Sequence, residues 1–109
     1  MNTKQKIAFL LADYTVRVIA ARQLPKFAEL EPIRSIETAA VANTAAYAAA
    51  TSTAARTADA AYYAANAARA ASNAVVVANI IAIVKQTSDN YAIDIRELIN
   101  IAVDPDRYW

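Results

Sequence analysis

Apolar positions recur at helical spacing along most of the chain, and no stretch alternates apolar and polar residues as a strand would. In residues 3–22, Ile7, Leu10, Leu11, Tyr14, Val18 and Ala21 fall on one side, with Lys4, Lys6, Asp13 and Arg17 outside. That pattern predicts a first helix over 3–22. Pro25 closes it, because proline lacks an amide proton and biases the residue before it away from helix. Residues 26–30 have room for one short turn. Pro32 suits the first turn of a second helix over 33–50, with Ile33, Ile36, Ala40 and Val41 inward.

From Ala39 to Ala78 the pattern changes character: more than half of the residues are alanine, with no glycine or proline and only Arg56, Asp59 and Arg69 charged. Alanine has the best helix propensity, since it loses no side-chain entropy on ordering. A methyl group buries little area, about 0.8 kcal/mol worth, so such a helix persists only by packing closely on another. Thr51, Ser52 and Thr53 are poor helix formers and good caps, which predicts a break there, with Asn43 and Thr44 as the second choice, and a third helix over 54–86. Ala54, Ala58, Ala61, Ala65, Ala68 and Val75 form its packing seam, and the apolar run Val75–Val84 is expected to be its best-buried end. Ser88 is placed to cap a last helix over 89–103, with Tyr91, Ile95, Leu98, Ile99 and Ala102 on one face and Asp104-Pro105 ending it.

The expected fold is therefore all-α: one domain over 1–109, a small antiparallel bundle of closely packed alanine-rich helices. A thin alanine core also favours self-association, most simply as a dimer.

Composition narrows the chemistry. The chain has no cysteine and no histidine, which removes disulfides, thiol nucleophiles, imidazole acid–base catalysis and the usual zinc ligands. A net charge of +1 gives no footprint for duplex nucleic acid. Asp13 and Arg17 interrupt the first apolar run, so it does not read as a signal peptide, and Val75–Val84 is too short to span a bilayer. A cytoplasmic protein without membrane association is expected. Glu97, Asp104 and Asp106 match no calcium loop, and no pair of carboxylates is set for acid–base work. The expectation is a protein without enzymatic activity, cofactor or metal.

The best candidate for binding is a polar stripe in the alanine ladder. Ser52, Asp59, Asn66 and Asn73 recur every seven residues, a spacing that stays on one helical face. Arg56, Asp59, Tyr62, Tyr63, Asn66, Arg69 and Asn73 together make the candidate site. Tyrosine and arginine dominate interface hot spots, and aromatic rings with arginine and asparagine also suit a nucleotide-like ligand. The plain alternative is a solvated face on which Arg56 and Asp59 pair three residues apart. Tyr47 lies off this stripe and reads as core or interface filler. The aromatic pair Tyr108 and Trp109 reads as a tail folding onto a helix groove or a neighbouring subunit.

RVIAARQLPKFAE from Arg17, PIRSIETAAVANTAAYAAA from Pro32, the ladder ADAAYYAANAARAA and the closing IDIRELI resemble the alanine-rich immunity proteins of bacterial and phage genomes. That family is assigned from gene neighbourhood to toxin neutralisation or conflict systems. The resemblance implies an inhibitor that acts by binding a protein partner; it carries over no individual residue. A small-ligand binder and a purely structural oligomer are the alternatives.

Overall fold

The computed structural model describes residues 3–52, 55–72 and 96–109, and every regular element among them is helical. α1 spans Thr3–Tyr14, α2 Ile36–Ser52, α3 Ala55–Ser72 and α4 Arg96–Val103. Shorter turns at Thr15–Ile19, Ala20–Arg22, Pro25–Glu29 and Pro105–Arg107 join or extend them.

The first helical run covers the predicted 3–22, but its winding changes along the way. Thr15 is fully buried, and its hydroxyl donates to the Leu11 carbonyl at 2.8 Å. A side-chain bond to that carbonyl competes with the backbone ladder and bends helices. Here the next turn widens into a π-helix over Thr15–Ile19, closed by the Ala20 amide donating to the Thr15 carbonyl, before tightening to 3₁₀ over Ala20–Arg22. The extra residue advances the buried face by one position. Ile19 therefore takes the inward place expected of Val18, which is exposed, and Val16 joins it in the core. Leu24, before Pro25, leaves the helical region at φ −131° and ψ 82°, as proline favours for its predecessor. The short turn after it is a 3₁₀ stretch over Pro25–Glu29 that buries Phe27.

The second helix starts at Ile36, three residues later than predicted, because Ser35 and Thr38 cap it. Thr38 N–H donates to Ser35 Oγ at 3.1 Å, and Ser35 N–H donates to Thr38 Oγ1 at 2.9 Å. This reciprocal pair is a capping box with threonine in the place of the acidic partner. Its phase also differs from the expectation. Ile33 is buried, but Ile36 and Val41 are 54% and 58% exposed and Ala40 is exposed too. Ala39, Ala42, Ala46, Ala49 and Ala50 face inward instead. Close approach to α3 decides this: only methyl-sized side chains fit between two helices packed along their length, so the larger residues are turned out. Among the described residues, α2 and α3 make the most extensive contact between two helices.

α2 runs on through Thr51 and Ser52, and α3 begins at Ala55; residues 53 and 54, the rest of the expected break, lie outside the described residues. Ala58, Ala61, Ala65 and Ala68 of the expected seam are all buried, and so are Ala60, Ala64, Ala67, Ala70 and Ala71. The seam is thus most of the circumference. α3 packs on α2, on α1 and on the widened turn, with alanine at each contact. Among the described residues the largest fully buried side chains are Phe27, Ile19, Ile33, Val16 and Thr15; Phe9, Leu10, Leu11 and Ile101 join them, and the rest of that hydrophobic core is alanine. Among the described residues of the last helix, Ile101 is buried and Leu98 half-buried, whereas Ile99 and Ala102 point outward, against the expectation. Ala54, Val75, the run Val75–Val84, Ser88, Tyr91 and Ile95 lie outside the described residues.

Candidate functional site

Burial leaves α3 one line of solvent-facing residues. Between Ala58 and Ala71, the exposed positions are Asp59, Tyr62, Asn66 and Arg69; Tyr63 is half-buried at their flank. Steps of three, four and three residues keep them on one face, along about 15 Å of helix. Arg69 Nη2 donates to Asn66 Oδ1 at 3.4 Å. The line ends in Arg69 and begins in Asp59, so it presents opposite charges about three turns apart with an aromatic ring between. Of the other candidate residues, Asn73 and the side chain of Arg56 lie outside the described residues, and with them the expected Arg56–Asp59 pair.

Close packing beneath it distinguishes this line from an ordinary wet helix face. Every intervening side chain of α3 but Tyr63 is a buried alanine. Side chains on a helix fixed from several directions are displayed with little freedom in the backbone beneath them. Tyr62 in particular leaves much of its ring in water. Tyr47, read as filler, is also exposed, on α2.

Two polar junctions that residue patterning did not reveal hold the frame. Asp13 and Arg17 were expected outside the bundle; instead Asp13 is only 13% exposed at its side chain. Its carboxylate accepts the Ile33 amide at 2.9 Å and both an Arg17 Nη1 contact at 3.2 Å and an Arg34 Nη1 contact at 3.5 Å. One carboxylate thereby ties the first helical run to the start of the second. Arg17 Nε is buried without a hydrogen-bond partner.

The second junction is the tail, which folds back as one of its two expected placements. Trp109 stacks obliquely on Phe9, with centroids 6.5 Å apart and planes at 42°. Lys6 Nζ and Arg34 Cζ lie 5.9 Å and 5.4 Å from its ring centre, within cation–π range. Lys6 also pairs with Asp106 at 2.9 Å, and Arg34 Nη2 donates to the Tyr108 carbonyl at 3.4 Å. The signal in the sequence was the unusual aromatic pair itself; its groove could be found only from the fold. Asp106 is thus engaged by a lysine, and no group of three metal-ligating side chains gathers among the described residues.

No protein-family model matches the chain, and no curated protein or solved structure matches it either. Among the described residues, no helix is long and apolar enough to cross a membrane.

Proposed function

We propose that this chain is a non-catalytic binding protein of the immunity or anti-defence type, acting in the cytoplasm and engaging a protein partner through α3. The observation that carries the reading is the single exposed line Asp59, Tyr62, Asn66 and Arg69 on a helix whose other described side chains are almost all buried alanine. Tyrosine and arginine are the residue types that most often dominate interfaces, and a rigid support keeps the ordering cost of binding low. α2 and α3, in extensive contact, form an antiparallel pair in this reading, with Arg56 and Asn73 extending the line. The resemblance of the ladder and of IDIRELI to alanine-rich immunity proteins points the same way.

A nucleotide-like ligand held between two copies of the line is the second reading, favoured by the Tyr62 ring and Arg69 on the same face two turns apart. Co-purification of tagged wild type and of Tyr62→Ala from the native host, read by mass spectrometry of proteins and small molecules, tests both. A protein retained by wild type and lost from Tyr62→Ala supports the first reading. A nucleotide-class molecule lost in the same way supports the second. Identical sets from the two baits overturn both.

A further inference from the structure

We propose that the segment Asp106–Trp109 is a salt-gated latch, closed on α1 at low ionic strength and released as salt rises, and that Arg34 relays its state to the start of α2. The segment has a fixed root and a lightly held tip. At the root, Pro105 is buried and Tyr108 packs against the core. The amides of Tyr108 and Trp109 both donate to the Pro105 carbonyl at 3.1 Å, so the turn is held by its own backbone. At the tip, Trp109 is 41% exposed and the Asp106 side chain 76%.

Charge supplies most of the named contacts at that tip. Lys6 Nζ reaches both the Asp106 carboxylate and the Trp109 ring, and Arg34 lies over the same ring. The Arg34 bond to the Tyr108 carbonyl is long, at 3.4 Å. The stack on Phe9, at 6.5 Å, is near the far end of the range for aromatic pairs. Exposed ion pairs and exposed cation–π contacts are individually weak. They are also screened, since the Debye length falls from about 30 Å at 0.01 M salt to about 3 Å at 1 M. The tip therefore opens under conditions that leave the buried root in place.

Arg34 connects this tip to the frame. Its Nη1 donates to the Ile33 carbonyl at 2.8 Å and lies 3.5 Å from one Asp13 oxygen, while the other Asp13 oxygen accepts the Ile33 amide. Asp13 is only 13% exposed at its side chain, so these inner contacts are screened less than the outer ones. With the latch closed, the Tyr108 carbonyl and the Trp109 ring hold the guanidinium from the tail side. With it open, Arg34 keeps the Ile33 carbonyl and Asp13 alone, and its hold on that carboxylate loosens. Ile33 directly precedes the segment that caps α2, so the loosening is felt where that helix begins. The coupling is reciprocal: a change that frees the start of α2 also weakens the latch.

The latch lies apart from the α3 line, and its failure leaves the partner-binding reading untouched. Trp109 is the chain's one tryptophan, so acrylamide quenching of the full chain reads the tip alone, and a neutral quencher is indifferent to screening. Quenching is expected to rise about twofold between 0.01 M and 1 M sodium chloride, with far-UV circular dichroism unchanged. Asp106→Asn removes one exposed charge and is expected to raise the open-to-closed ratio at low salt by up to about fivefold. The relay is read by amide hydrogen exchange: relative to Ala64 in α3, the Ile33 amide is expected to exchange faster at high salt and in Trp109→Ala. Should Trp109→Ala fail to fold, Asp106→Asn at low salt takes its place. Quenching that does not change with salt, quenching at low salt equal to that of free tryptophan, an Asp106→Asn chain identical to wild type, or Ile33 exchange indifferent to the tail would each overturn the proposal.

Discussion

Asp13 accepts the buried amide of Ile33 at 2.9 Å, across twenty positions of sequence, and in doing so fixes where the second helix begins. The same carboxylate pairs with both Arg17 and Arg34, and Arg34 in turn covers Trp109. A single side chain therefore connects the first helical run, the capping segment and the tail.

Removing that carboxylate strands a buried amide, takes the carboxylate from Arg17 and leaves Arg34 with only carbonyl and ring partners. Asp13→Ala is expected to cost about 2–4 kcal/mol, from a lost charge-assisted bond and broken, partly buried ion pairs. Asp13→Asn keeps an acceptor for Ile33 and is expected to cost less than Asp13→Ala. Urea denaturation midpoints of the three proteins check the order; an Asp13→Ala protein as stable as wild type would remove Asp13 from its structural role.

Why this junction escaped the sequence while the helices did not is a matter of range. Helix existence rests on local periodicity and on stops such as Pro25, and both were legible. Facing was not. On α2 the large residues Ile36 and Val41 look like core, yet a close-packed alanine interface excludes them. In a helix of mostly alanine, hydrophobic contrast does not identify the buried side. On the first helix, the hydroxyl of Thr15 added a residue to one turn and rotated Val18 outward. Ser35 and Thr38 were a readable cap whose last member is not the usual acidic residue. The polar line on α3 was legible because Asp59, Tyr62, Asn66 and Arg69 are what interrupts alanine, while the tail contact depended on tertiary packing.

The alanine core gives a size test. Ala61→Leu and Ala65→Leu add bulk where α3 is enclosed, and each is expected to lower stability by about 1–3 kcal/mol through overpacking. Thermal melts check this. A raised melting temperature in either variant would mean that the helices are loosely packed and that close approach does not organise the fold.

The tail offers a spectroscopic test, since Trp109 is the chain's one tryptophan. Trp109→Ala is expected to cost about 1–2 kcal/mol from the aromatic pair and the two cation–π contacts together. Arg34→Ala should shift the Trp109 emission to longer wavelength as the ring gains water. Unchanged emission would show that Arg34 does not shield it.

Stability and recognition separate on α3. Asn66→Ala changes a solvent-facing residue and is expected to alter stability by less than about 0.5 kcal/mol. It should also leave the sedimentation profile of the chain unchanged, because the line is proposed to serve an outside partner. A loss of assembly in Asn66→Ala would make the α3 line a subunit contact.

The central claim is that the α3 line is the surface a protein partner covers, and steric blockade tests it most directly. Asn66→Cys and Glu29→Cys each place the chain's single thiol at an exposed position, one on the line and one on the 3₁₀ turn remote from it in sequence. Each is alkylated with a bulky maleimide, and co-purifying proteins are quantified against the unmodified chain. The expected result is loss of the partner from the blocked Asn66→Cys chain and its retention by the blocked Glu29→Cys chain. Retention by both would contradict the account and leave Asp59, Tyr62, Asn66 and Arg69 as an ordinary solvated face.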